Sequence, residues 1–380
     1  MEQTMKNYGW ATASEFLGDR IVYRNLVPLD QQLPGLSDCA SGLRLPPGRI
    51  PRKHELDYAR VVATLLNEAR AFENPKQPIM RLVFVGDTEL LDATAFANLC
   101  QVTGWPGLAF IADETDDTPA FRLSQAGKGG LYLANRWSAL ETFDEYCQQT
   151  RQPVAEETAV VIDLDKTILG ARRRNSKMID WSRSRAMQLT IAGLLDENLD
   201  AQAFQGVYQV FNQAEFHSFT SDNQDYLAYV CLMSLAGVVD STQLAQAIRQ
   251  GELTRIEQFI DQMDARQEKL PASVREVHKE VFDCTRAGDP TPFKAFRRME
   301  YEITVSVMGC LETHAPVDAL LEREITLTQE VRRMALAWGR RGALIFGLSD
   351  KPDEASVPSA EMAAQGFQPL HRTPTHAVGI

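Results

Sequence analysis

Two aspartates, Asp163 and Asp165, stand one residue apart at the end of the apolar run in "AVVIDLDKTILG" (159–170). A carboxylate fixed at the end of a strand can attack phosphorus and form an aspartyl-phosphate. A second carboxylate two positions on can protonate the leaving oxygen and later take a proton from water. The two-residue period of a strand would put both side chains on the same side of the chain. Phosphoryl transfer also needs the charge of the phosphate neutralised by a hard cation and by fixed donors.

The element that presents these carboxylates has to be a buried strand, and the four apolar residues before Asp163 suit one. Open α/β sheets place their ligands at the C-terminal edge of such strands. Upstream, helical spacing predicts helices over 55–72, 93–104 and 138–149, and short apolar runs predict strands over 81–85, 107–112 and 130–134. That alternation predicts an α/β fold, a parallel Rossmann-like sheet covered on both faces. Residues 1–45, rich in Gly and Pro towards their end, read as an irregular N-terminal segment of loops with one short element at most. From 179 to 322 nearly every segment has a helical pattern, which predicts a large helical domain inserted between sheet elements. A helix over 328–342 and a strand over 343–346 follow. The α/β core is therefore expected to comprise 46–178 and 323–380.

The whole chain limits what this chemistry acts on. Its 380 residues are 44% hydrophobic and 24% charged, the proportions of an ordinary globular protein. A net charge of -12 argues against a nucleic-acid partner and against an anionic membrane surface. The six cysteines have no paired spacing, which suits a reducing compartment better than a disulfide or zinc framework. With no membrane-spanning run and no signal-peptide core in "MEQTMKNYGW", the expectation is a cytoplasmic enzyme.

"VVIDLDKTILG" resembles the first motif of the haloacid dehalogenase (HAD) superfamily, the signature of its aspartate-based phosphatases and phosphotransferases. The resemblance implies Asp163 as nucleophile, Asp165 as general acid and base, and Thr167 as phosphate-binding or supporting. It also implies that the helical insertion is similar to the family's cap domain. "GALIFGLSDKPDEAS" resembles the second motif and nominates Ser349 for phosphate binding. Only thirty residues follow Asp350, too few for the remaining two motifs and their elements. These are similar instead to upstream segments: "RLVFVGDTELLDATAF" resembles the fourth motif, with Asp87 and Asp92 as magnesium acids, and Lys53 in "PRKHELDY" takes the place of the third-motif lysine. The order III, IV, I, cap, II implies a circularly permuted member. A permutation is physically acceptable where the original ends lie close together.

The resemblance implies a magnesium-dependent hydrolase, a phosphatase acting on a small phosphomonoester. Asp163, the Asp165 carbonyl and Asp87 would hold the metal, supported by Asp92. Thr167, Ser349 and Lys53 would bind the transferring group. Transfer to an acceptor other than water, and a binding protein of the same fold without turnover, are the alternatives. A non-permuted order would make Asp350 and Asp353 the metal acids and Thr326 or Thr328 the second-motif hydroxyl. Arg172 and Arg173, in "ARRRN", are candidates for a second anionic group of the substrate or for a solvated face. His371 and His376 are expected to be structural, and His217 and Asp222 to face the cleft from the helical insertion.

Overall fold

The computed structural model describes residues 4–46, 48–115, 117–195 and 199–380. The chain divides into two compact units, 1–181 with 304–380, and 182–303. The helix Ser176–Leu194 leaves the first unit and the helix Lys294–Ser306 returns to it. The helical insertion is thus shorter at both ends than the span 179–322 suggested by its texture.

Among the described residues ten strands lie in the first unit: β1 (Lys6–Ala11), β2 (Ile21–Val22), β3 (Arg81–Gly86), β4 (Gly107–Ala112), β5 (Phe121–Ala126), β6 (Gly129–Ala134), β7 (Thr158–Asp163), β8 (Leu327–Thr328), β9 (Leu344–Leu348) and β10 (Thr375–Gly379). Seven form the main sheet in the order β2-β9-β7-β3-β4-β6-β5, parallel except for the last pair. All six residues of β7 are buried, as expected of a strand covered on both faces. Its neighbours are β3 on one side and β9 on the other, so the three strands that precede Asp87, Asp163 and Ser349 lie side by side.

The helices Leu56–Glu73 and Leu91–Thr103 pack on one another and on the sheet through Val61, Leu65, Phe84 and Phe96. An aromatic cluster of Phe110, Tyr132, Trp137 and Phe143 joins the sheet to the helix Leu140–Gln149.

Of the segment 1–45, residues 1–3 lie outside the described residues, and residues 4–45 hold more regular structure than their composition suggests. β1 pairs with β10 in a second, three-stranded sheet completed by β8, and β2 is the edge strand of the main sheet. These short elements carry almost no periodic signal of their own, because strand partners far away in sequence define them. β5, most of whose residues are exposed, is defined instead by its antiparallel pairing with β6, its immediate neighbour in sequence.

The second unit has its own apolar core, built from Phe204, Tyr229, Phe259 and Val274 among others. A buried charge network lies within it: Arg297 donates to Asp225 and Glu300, and Arg183 donates to Glu300. His217 and Asp222 are exposed and 3.7 Å apart. No helix among the described residues is long and apolar enough to cross a membrane.

Candidate active site

Asp163 is the last residue of β7 and pairs in register with Leu348, the last of β9, so Ser349 begins where Asp163 ends. On the other side, Ile162 pairs with Val85, which sets Gly86 beside Asp163 and Asp87 one step beyond. Three parallel strands thus deliver their next residues to one sheet edge.

The strand period does not extend to Asp165. The chain turns directly after Asp163: the Leu164 amide donates to Leu348, the Ile168 amide to Asp163 and the Leu169 amide to Leu164. Lys166 has φ +64°, a left-handed conformation that a non-glycine residue adopts only when its surroundings impose it. Asp165 therefore sits on a tight turn, with its carboxylate 3.9 Å from Lys351 Nζ.

Lys53 lies just before the helix Leu56–Glu73, and its buried Nζ donates to Asp163 Oδ1 at 2.5 Å and to Asp92 Oδ1 at 2.6 Å. The other Asp92 oxygen accepts from the Asp87 and Thr88 amides and the Thr88 hydroxyl, each at 2.9 Å. Both Asp92 oxygens are thus engaged by protein donors, and this carboxylate braces the turn after β3 and positions Lys53. A Cβ on Gly86 would lie 2.5 Å from Asp92 Oδ2, so only glycine lets that carboxylate reach the backbone.

Asp87 is held by Arg172, whose Nη1 donates to Oδ2 at 2.9 Å. Burial, with the nearby Asp92 charge, pushes the Asp87 carboxyl up to about 7 against the pull of Arg172. Burial also raises the Asp163 carboxyl, and although Lys53 opposes it, the Asp92 and Asp87 charges act in the same upward direction. For Asp92 burial is outweighed by Lys53 and the backbone donors, and its carboxyl stays below the ordinary range. Burial works against the Lys53 ammonium, yet Asp163 and Asp92 together hold it charged well above the usual lysine value. The cluster has more carboxylate than positive charge.

The donor chemistry at this edge fits magnesium. Asp163 and Asp87 offer carboxylate oxygens and Asp165 a backbone carbonyl, and magnesium is commonly held by one or two carboxylates with water and substrate oxygens completing the shell. Among the described residues no group of three or more His, Cys, Asp or Glu side chains gathers around one point. A set of two carboxylates and a carbonyl does not require one. Asp92 does not belong to the set, since Lys53 and the turn use both of its oxygens.

Thr167 and Ser349 are fully buried. Among the described residues the Thr167 hydroxyl has no hydrogen-bond partner, a state that costs about 1–3 kcal/mol for a buried polar group. Ser349 Oγ accepts from the Lys351 amide at 3.2 Å.

Asp350 and Asp353 are otherwise engaged. Asp350 Oδ2 lies 3.1 Å from Arg52 and 3.6 Å from Arg24, whose Nε also donates to the Asp350 carbonyl. Burial raises the Asp350 carboxyl, but Arg24, Arg52 and Lys53 bring it below the ordinary range. Asp353 accepts from the Asn25 amide. Thr326 bonds to Asn175, and Thr328 donates to the Thr167 carbonyl. Thr326, Thr328, Asp353 and Asp350 Oδ2 are thus engaged by the scaffold, while Asp350 Oδ1 is buried with no hydrogen-bond partner among the described residues.

Arg172, Arg173 and the neighbouring Arg174 are all matched by carboxylates. Arg172 contacts Asp87 and lies 3.4 Å from Asp113, Arg173 donates to Asp113, and buried Arg174 pairs with Glu114 and Glu330. His371 and His376 are buried, the first between Tyr23 and Asp19, the second against Glu324.

Four further residues line this region: Lys351 beside Asp165, Arg24 and Arg52 on Asp350, and Tyr58, whose buried hydroxyl has no hydrogen-bond partner among the described residues and lies in the field of Lys53, Asp350 and Asp163. "SDKPD" and "PRKHELDY" contain three of them, but nothing local distinguishes such residues from solvated ones. No family model, no curated protein and no solved structure matches the chain.

Proposed function

We propose that the chain is a magnesium-dependent phosphatase of the HAD type with permuted motif order, acting on a small phosphomonoester. The observation that carries this reading is the Lys53 ammonium shared between Asp163, at the end of the central strand, and Asp92. It holds the candidate nucleophile in place and leaves a positive charge where phosphoryl oxygens would gather.

In this reading the Asp163 carboxylate attacks phosphorus in line, the bond to the ester oxygen breaks, and Asp165 gives that oxygen its proton. Asp165 then removes a proton from water, which attacks the aspartyl-phosphate at phosphorus and restores the Asp163 carboxylate with release of phosphate. Thr167, Ser349 and Lys53 support the transferring group. Asp163, the Asp165 carbonyl and Asp87 would hold magnesium, which would neutralise phosphoryl charge. Arg172 would have to leave the Asp87 oxygen it now occupies.

The position of Arg172 is also the specific observation that favours a second reading, a phosphate-ester-binding protein without turnover. Phosphate release from a panel of small phosphomonoesters, with and without magnesium, separates the two. Turnover by the wild type that disappears in Asp163→Asn and Asp165→Asn, with phosphate trapped on Asp163 after acid quench of the wild type, supports the phosphatase. Tight ester binding with no release on any member of the panel would leave the binding protein.

A further inference from the structure

At the N-terminal edge of β7 and β9, the end of the sheet away from Asp163, lies a cavity of about 310 Å³. Its wall includes Arg20 from just before β2, Arg70 and Glu73 from the last turn of the helix Leu56–Glu73, Glu156 from the turn before β7, and Gly342 from the turn before β9. That helix has 18 residues and spans about 27 Å, with Lys53 before its first turn and Arg70 in its last. A molecule in this cavity is therefore not the substrate of the chemistry at Asp163.

Arg70 is 5% exposed, and a guanidinium so buried needs a carboxylate in bonding contact. Buried Arg174 has two, Glu114 and Glu330, each at 2.9 Å. The carboxylate paired with Arg70 is Glu73, 3.7 Å away and beyond hydrogen-bond range. The other oxygen of Glu73 is taken by Arg20. Arg70 Nη2 donates to the Gly342 carbonyl at 3.2 Å, and among the described residues Nε has no hydrogen-bond partner. Burial, and after it the neighbouring Arg20 charge, lower the Arg70 guanidinium, with Glu156 acting the other way. Two guanidinium groups thus share one carboxylate in this wall, and an acceptor is missing.

Glu156 supplies the opposite pole. It lies across Gly342: a Cβ on that glycine, whose φ is +88°, would come within 2.5 Å of Glu156 Cγ. Among the described residues Glu156 forms no ion pair. With Glu73 and Glu156 against Arg20 and Arg70, the formal charges of the wall sum to zero. A plain anion such as phosphate would meet Glu156 as well as the arginines, whereas a ligand with both charges brings a partner for each. The volume, at the lower end of the roughly 300–1,000 Å³ of small-molecule sites, limits that ligand to a small metabolite.

We propose that this cavity binds a small zwitterion, an α-amino acid, whose carboxylate is held by Arg70 and Arg20 and whose ammonium group meets Glu156. The site is separate from the proposed phosphatase and stands or falls independently of it.

The test is isothermal titration of the full chain with a panel of the standard amino acids, set against acetate, ethylammonium and inorganic phosphate at constant ionic strength. At least one amino acid is expected to bind with a Kd of about 1 mM or lower, about tenfold tighter than any of the three comparison ions. Glu156→Gln, at an exposed position, should weaken amino-acid binding about tenfold and leave acetate unchanged. Arg70→Lys, which keeps the charge but loses the planar fork, should weaken both. Glu157→Gln, next in the chain but outside the cavity wall, should change neither. Absence of binding by every amino acid, affinity matched by phosphate or acetate, or amino-acid affinity unmoved by Glu156→Gln each overturns the zwitterion site. Should Arg70→Lys fail to fold, Glu156→Gln and the ion series decide.

Discussion

Lys53 Nζ lies 2.5 Å from Asp163 Oδ1, although the two residues are 110 positions apart in the chain. The contact joins the entrance of the helix Leu56–Glu73 to the end of the central strand. Because the same ammonium also holds Asp92, it ties together three segments that meet at one sheet edge.

Replacing Lys53 by Met keeps the apolar stem and removes the charge. Two buried carboxylates then lose their shared partner, a change that typically destabilises by about 3–5 kcal/mol. Urea unfolding should show a lower midpoint with an unchanged slope. A variant as stable as the wild type would mean that Asp163 and Asp92 find other partners at no cost, and the ammonium would lose the structural role assigned to it.

Gly86→Ala tests the Asp92 brace. The new Cβ would meet the Asp92 carboxylate at 2.5 Å, so either the side chain or the helix Leu91–Thr103 must shift. Overpacking of this kind costs about 1–3 kcal/mol. The expected result is a lower thermal midpoint together with loss of phosphate release, since Lys53 loses one of its two anchors.

Magnesium binding separates the two sets of acids. A ligand that binds the folded state raises its stability by mass action, by about 2.7 kcal/mol at a hundredfold excess over its dissociation constant. Millimolar magnesium should raise the melting temperature of the wild type and leave Asp87→Asn unmoved. Asp350→Asn should lower the starting stability, because Arg24 and Arg52 lose their carboxylate, yet still respond to magnesium. A response lost in Asp350→Asn and kept in Asp87→Asn would restore the non-permuted order.

The stability of the fold should also depend on His371. Burial holds its imidazole below the ordinary value of 6.5, with Asp19 opposing in part. Because the folded-state value is depressed, its contribution is fully present above pH 6.5 and is lost as the pH falls through the lowered value. On acidification from about pH 6.5 the wild type should therefore lose this contribution and His371→Gln should not, so the stability difference between the two should shift over that window. The opposite contribution of the raised Asp87 and Asp163 carboxyls is common to both. Asp19 titrates in a separate, more acidic window, since Arg372 and His371 hold its carboxyl below 3.8.

The chemistry-bearing residue types and the main strands were legible in the sequence, because a buried parallel strand is a short uninterrupted apolar run and Asp163 and Asp87 each follow one. The helices over 56–73 and 91–103 were legible for the same kind of reason, their apolar residues recurring at the period of the face they bury. Three things were settled by tertiary structure alone. Strand order made neighbours of β3, β7 and β9, and no local pattern encodes which strands pair across a hundred residues. The short strands β1, β2 and β10 exist because distant partners take up their backbone hydrogen bonds, so residues 6–22 look irregular when read locally. The division of labour among the acids was decided by what each side chain meets in space: Asp92 meets Lys53 and two amides, Asp350 meets two arginines, and Asp163 shares a buried ammonium at the end of the central strand. A carboxylate has the same chemistry at every position in a sequence, and only its surroundings in the folded chain determine whether it braces a turn, clamps a loop or shares a buried ammonium.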